Sequence, residues 1–183
     1  MRAINNFENV QATSGDFEKP TAGGYVVGIL TVKDFPMDAT TGKGDYLKIF
    51  YDIAEGKFKY YYTELLHKFG GDYYTSFIRS YKDSAAGMFK HFINCVEESN
   101  AGYKWNWDEK SLEGRQIGVV LGEEEYQKND GSVGVRLYVK DIKTVEQIKN
   151  GDFKIPELKK LKGVVNNTVS NFEALSSDED LPF

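Results

Sequence analysis

The chain has one cysteine, two histidines and four prolines in 183 residues, and each scarcity removes a class of protein. Cys95 alone cannot close an intramolecular disulfide, so a small disulfide-stapled domain is excluded. A multi-cysteine zinc site goes with it, and His67 and His91 supply too few ligands for an all-protein zinc centre. No apolar run approaches the ~20 residues that a membrane-spanning helix needs. The first residues lack the charged start and apolar run of a secretory signal. These absences lead to the expectation of a soluble, cytoplasmic protein with no membrane partner. Neither GxxxxGK[ST] nor GxGxxG occurs, so no phosphate-binding loop of those types is present, and no cofactor is expected.

Net charge is −5, which on its face argues against a nucleic-acid partner. The distribution matters more than the sum. Glu173, Asp178, Glu179 and Asp180 all fall in the last eleven residues, and without them 24 acidic residues face 23 basic ones. A nearly neutral body can still carry a basic groove.

What the chain does have is aromatic residues: twelve Tyr and twelve Phe, a content that favours strands and contact surfaces over an aliphatic bundle. Residues 1–22 show no sustained period and read as a loosely held arm. From Gly23 a strand begins, apolar on both faces, with Tyr25, Val27, Ile29 and Thr31 alternating with Val26, Gly28, Leu30 and Val32. Residues 34–44 read as a loop and 46–53 as a second strand. Phe58, Tyr61, Tyr62, Leu65, Leu66 and Phe69 then follow a helical period, although the run Tyr60, Tyr61, Tyr62 also suits a strand. Residues 73–81 alternate as a third strand. Ser84 has the chemistry of an N-cap for a second helix ending near residues 100–102. A fourth strand over residues 115–125, a hairpin turn at residues 128–132 and a fifth strand over residues 133–140 complete the set. Residues 145–161 have mixed helical character with a break at Pro156, and residues 166–177 carry no core pattern.

Five short strands with a helix before the fourth match the order of an OB fold, a partly open barrel that often binds oligonucleotides. The expected protein is therefore mainly β (α+β): an OB-fold-like five-stranded barrel with two helices and a flexible acidic C-terminal tail. Its parts would be an arm over residues 1–22, a binding domain over residues 23–162 and a tail over residues 163–183.

Two strand faces interleave rings with positive charge. The second strand sets Tyr46, Lys48 and Phe50 opposite its aliphatic side, and the fifth sets Arg136, Tyr138 and Lys140 opposite Val133, Val135, Leu137 and Val139. The third adds Phe77, Arg79 and Tyr81 as further candidates. Cations follow phosphates while rings stack on bases whatever their identity, at about 1–3 kcal/mol per base. Taken singly, each of these is an ordinary strand residue; the set on two or three strands is what points to single-stranded DNA. Trp105 and Trp107, one residue apart, would point the same way in an extended segment and could clamp a base, though at least one is expected to close a core edge. Lys159, Lys160 and Lys162 read as a solvated face that could extend a DNA path. The run Glu123, Glu124, Glu125 invites a magnesium-site reading, but no further Asp or Lys at a recognisable spacing supports a nuclease.

The last residues are the most informative. An acidic run keeps Asp178, Glu179 and Asp180 in water and repels DNA phosphates. Leu181, Pro182, Phe183 and the terminal carboxylate then offer one compact ligand for an apolar pocket rimmed by Arg or Lys.

That ending resembles the acidic tip of bacterial single-stranded DNA-binding proteins, which docks on replication and repair partners. The body resembles instead a family of phage and prophage proteins from Gram-positive hosts, proposed to be phage-type single-stranded DNA-binding proteins. The stretches AGGYVVGI, YLKIFYDIAEGKFK, CVEESNAGYKWNWDEKSLEGRQIGVVLGEEEY and IKNGDFKIPELKKL carry this resemblance across most of residues 22–161. It implies a sequence-independent binder of single-stranded DNA, not an enzyme, working in the host cytoplasm in phage replication or recombination. Partner proteins would be recruited by Asp178, Glu179, Asp180, Leu181, Pro182 and Phe183; the DNA-contacting residues rest on the strand pattern alone. The alternatives are an adaptor whose barrel binds a recombination or helicase-loading protein and, last, a metal-dependent nuclease. An unpaired strand edge permits a homo-oligomer without specifying one.

Overall fold

The computed structural model describes residues 18–70 and 75–161. Five antiparallel strands form one sheet in the order β3-β2-β1-β4-β5: β1 Gly23–Phe35, β2 Tyr46–Ile53, β3 Ser76–Ser80, β4 Gln116–Gln127 and β5 Val133–Lys143. Three helices accompany it: α1 Tyr61–Phe69, α2 Ala86–Ser99 and α3 Val145–Lys149. The protein is thus a mainly β, α+β domain. No pairing of β3 with β5, which would close the sheet into a barrel, occurs among the described residues.

The long strand β1 is shared by two half-sheets. Residues 23–28 pair with β4, whereas residues 31–35 pair with β2 alone. Between them the register slips: Ile29 opposes Tyr51 and Thr31 opposes Phe50, leaving Leu30 as an extra residue, a β-bulge. The slip reverses which residues face the core. Val27 and Ile29 point inward before it and Val32 after it, so Thr31, Lys33 and Phe35 turn to the opposite face. Leu30, belonging to neither face, is 40% exposed.

The inner face carries the main core: Val27, Ile29, Val32, Leu47, Ile49, Tyr51, Ile53, Phe77, Ile117, Val119, Leu121 and Ile142. Helix α2 covers it, burying Phe92, Ile93, Cys95 and Val96 from one apolar stripe. Its C-terminus is tied to β4 by Asn100, whose amide donates to the carbonyls of Val96 and Gln116 while its oxygen accepts from the Gln116 N–H. On the outer face a smaller cluster sits over β1 and β4, where Ile148 and Phe153 pack on Val26 and Val120. Helix α3 is fixed there by a capping box between Thr144 and Gln147. Its Ile148 lies so close to Gly118 that a Cβ there would collide with it and with the carbonyls of Lys143 and Thr144.

Several expectations at element ends are corrected. Ser84 does not cap α2; residues Asp83–Ala85 form a 3-10 turn, and the helix follows from Ala85 without a side-chain cap. The mixed helical character expected over residues 145–161 is realised in α3, Val145–Lys149, which makes a third helix where two were expected. The expected helical run from Phe58 begins at Tyr61, after Tyr60 takes the left-handed conformation at φ 63°. Its cap comes from β2: the buried Asp52 carboxylate accepts from the N–H groups of Ile53, Tyr62 and Thr63 at 2.7, 3.0 and 2.8 Å. Three backbone donors therefore depend on one side chain.

Asp52→Ala strips all three donors of their acceptor and is expected to cost at least about 1–3 kcal/mol, the penalty for even one unsatisfied buried group. Urea denaturation monitored by circular dichroism checks it, and an unchanged midpoint would contradict the capping role.

Candidate nucleic-acid interface

With α3 and Phe153 over β4 and the first half of β1, the outer face stays open over the second half of β1, β2 and β3. The register assembles this open face row by row. Phe35 lies opposite Tyr46, Lys33 opposite Lys48, and Lys48 in turn opposite Ile78. The Phe35 and Tyr46 rings stack with centroids 5.1 Å apart and planes at 24°. Lys33 and Lys48 place their ammonium groups 5.3 and 5.0 Å from the centroid of the Phe50 ring. Ile78 is 52% exposed beside them.

Two lysines directly across a strand pair repel one another and normally destabilise it. Here neither makes an ion pair among the described residues. The Phe50 ring offers a partial substitute through its π face, at about 0.5–1 kcal/mol for an exposed cation. Phe50 itself is buried at 6% exposure, so it is a seat for the lysines and not a free platform. The open rings are those of Phe35 and Tyr46. Chemically, the face presents two uncompensated cations next to a stacked aromatic pair, an arrangement suited to a phosphate followed by a base.

The expected residues are distributed unevenly. Tyr46, Lys48 and Phe50 share this face, and Lys33, Phe35 and Ile78 join them, unforeseen. Phe77 does not: it is buried in the core, 5.8 Å from the Tyr51 ring and 5.6 Å from that of Phe92. Arg79 faces inward with it, its guanidinium 4.8 Å from the Phe77 ring, and burial lowers its pKa. The reason is register: Ile49 opposes Phe77 and Leu47 opposes Arg79, so the outward residue of β3 is Ile78. Tyr81 stands at the strand end, donating its hydroxyl to Asp34 at 2.9 Å and leaning on Phe89.

Nor do Arg136, Tyr138 and Lys140 form one stripe. Arg136 is paired with Glu124 at 2.8 Å, and Tyr138 lies over Gly122, with Lys159 5.8 Å from its ring. Lys140 is the extra residue of a second bulge, where Val120 opposes Asp141 and Leu121 opposes Val139. It lines a cavity of about 820 Å³ with Lys143, Phe153 and Lys154. The segment around Lys159 causes much of this, because it bonds along the free edge of β4, N–H to Glu123 and carbonyl to Glu125. Glu124 is held between Arg136 and Lys159, and both cations lower its pKa. Glu125 accepts from the Leu161 N–H. The glutamate run therefore ties residues 159–161 to the hairpin; among the described residues no group of acidic, His or Cys side chains is placed to hold a metal ion.

Trp105 and Trp107 are near each other, 6.1 Å between centroids, but on the α2 side of the molecule. Trp105 is half-buried and packs against the core, whereas Trp107 is 81% exposed. Residues 178–183 lie outside the described residues. No family model matches the chain, and no curated protein matches it significantly. Among the described residues no helix is long and apolar enough to cross a membrane.

Glu97 links the tryptophans to the fold, accepting from the Trp105 backbone N–H at 2.9 Å and from the Lys104 ammonium at 3.0 Å. The Trp105 N–H first, and Lys104 second, hold its carboxyl below the ordinary value of 4.5. A lowered pKa means that this contact is intact above that value and lost as pH falls through the lower one. Tryptophan emission should accordingly be flat from neutral pH down to about 4.5 and shift only under more acid conditions, and Glu97→Gln should remove that acid transition.

Proposed function

We propose that the chain binds single-stranded DNA without sequence specificity across the open face of β1, β2 and β3. The observation that carries this reading is the cross-strand pair Lys33 and Lys48 over Phe50, uncompensated by any ion pair among the described residues, beside the stacked rings of Phe35 and Tyr46. A strand pair has no structural use for two facing like charges; a phosphate between them removes the repulsion. No base-specific donor or acceptor pattern is required, because stacking accepts any base. The strand order, with α2 between β3 and β4, supports an OB-type barrel as the scaffold. The resemblance to phage-type single-stranded DNA-binding proteins supports the same reading. We place the protein in phage replication or recombination, recruiting partner proteins through residues 178–183.

The reading is tested by anisotropy of a labelled oligo(dT), titrated at several salt concentrations against a duplex of equal length. Binding should weaken with salt and favour the single strand. Replacing Lys33 and Lys48 together by Gln should lower the log–log salt slope by about 1.4, the share of two phosphate contacts on a single strand. Phe35→Ala and Tyr46→Ala should each cost about 1–3 kcal/mol of affinity, with little change in that slope. An absence of binding at low salt would reject DNA as the ligand and leave the face to a protein.

A further inference from the structure

The cavity of about 820 Å³ beside Lys140 lies on the same side of the sheet as the open face, with α3 and Phe153 between the two. Lys140 reaches it because of the second bulge. Val120 opposes Asp141 and Leu121 opposes Val139, so Lys140 is left over between them and lines the cavity. Bulges re-aim side chains in this way. Phe153 supplies the second feature. Its Cζ edge stands on Gly24, so close that a Cβ there would collide with the ring. A ring planted edge-on keeps its faces upright on the sheet, and with Pro156 it gives the cavity an apolar wall.

Five charged groups line the same space: Lys140, Lys143 and Lys154 with Asp141 and Asp152. Lys143 meets Asp141 at 3.3 Å, and that pair cancels. Lys140, Lys154 and Asp152 make no ion pair among the described residues. Their sum is one positive charge. A phosphate monoester carries about −1.5 to −2 near neutral pH and would leave the site negative. A phosphodiester carries a single negative charge and matches it. Two lysines around one such charge, beside an upright ring, suit a nucleotide inside a strand better than a free one. The volume falls within the ~300–1,000 Å³ of ordinary ligand cavities.

The geometry points to this cavity as a second contact for the DNA strand, taking one nucleotide with its base against Phe153 and its phosphodiester between Lys140 and Lys154. The assignment rests on the DNA-binding reading and carries it past the open face. Lys33 and Val26 are seven residues apart on β1; Val26 opposes Gly118, and Gly118 opposes Lys143. At about 3.3 Å per residue the two contacts lie roughly 20 Å apart along the strand direction. One strand that passes α3 reaches both. Each bulge then delivers a lysine to the DNA: the one at Leu30 turns Lys33 outward, and the one at Lys140 turns that residue into the cavity.

Lys140 and Lys154 are exposed, so replacing both by Gln should leave the fold intact, which an unchanged melting temperature verifies. The probe is a labelled oligo(dT) of about 16 nucleotides, the upper end of site sizes for an OB fold. In anisotropy titrations the double variant should bind it more weakly. Its log–log salt slope should fall by about 0.7, the share of one phosphate on a single strand. Combined with Lys33→Gln and Lys48→Gln, the two reductions in slope should add. Phe153→Leu keeps an apolar group on Gly24 and should weaken binding roughly tenfold at an unchanged slope. If the unaltered protein binds and the Lys140/Lys154 variant equals it in affinity and slope, the cavity assignment is overturned while the DNA reading stands. No binding by the unaltered protein overturns both. Thymidine monophosphate tests the free-nucleotide source. A saturable rise in melting temperature with it, lost in the variant while oligo(dT) binding is unchanged, would also overturn the assignment.

Discussion

The β-bulge at Leu30 is the constraint on which the arrangement of surfaces depends. Strand β1 must serve β4 with its first half and β2 with its second, and a strand of unbroken period would keep one set of residues inward along its whole length. One extra residue resolves this. Val32 replaces residue 31 in the core, and Thr31, Lys33 and Phe35 pass to the outer face, where β2 already holds Tyr46, Lys48 and Phe50. A single register slip thereby adds a second cation and a third ring to that face. Bulges also increase local twist, and the ladder pairing of β1 with β4 ends at Gly28, just before its own bulge.

The two faces of the sheet are then treated differently. The inner face is closed by α2, whose Phe92, Ile93, Cys95 and Val96 meet residues of β3, β4 and β5. The outer face is closed only in part, because α3 and Phe153 occupy the side above Val26 and Val120. Close approach there relies on Gly24 and Gly118, where a side chain would collide with Phe153 and Ile148. The remaining area keeps Lys33 and Lys48 facing one another without a carboxylate, whereas Arg136 and Lys159 share Glu124, Lys149 meets Glu55 and Lys104 meets Glu97. What distinguishes this area is that the two like charges lie directly opposite one another across a strand pair, where they repel.

The tryptophans carry a second lesson about neighbours. Two residues spaced by one look like a clamp if the backbone is extended, but the turn at Trp107 has positive φ and breaks that alternation. One ring joins the core edge and the other is left in solvent over α2. Glu97, on α2, holds Trp105 in place through its backbone N–H.

Much of this was open to reading from the residues alone, where a period was long enough to register. The five strands, the first two helices, the hairpin at residues 128–132 and the ring-and-lysine face of β2 all follow from local alternation and turn chemistry, which are properties of consecutive residues. The bulge left no such trace, since residues 26, 27, 29, 30 and 32 are all apolar and fill both faces of the strand. What local sequence could not determine was partnership. Whether Phe77 or Ile78 faces outward depends on its register with Ile49 and Lys48, and whether Arg136 is free depends on Glu124, which Lys159 also reaches from 35 residues further along. The Asp52 cap, the covering of one half of the outer face and the open state of the other arise from contacts between segments distant in sequence. The sequence by itself therefore determined which residue types alternate and where the chain turns. Only the tertiary structure decided which of them share a surface, because a one-residue slip in pairing moves a side chain from the core to water without changing a single letter.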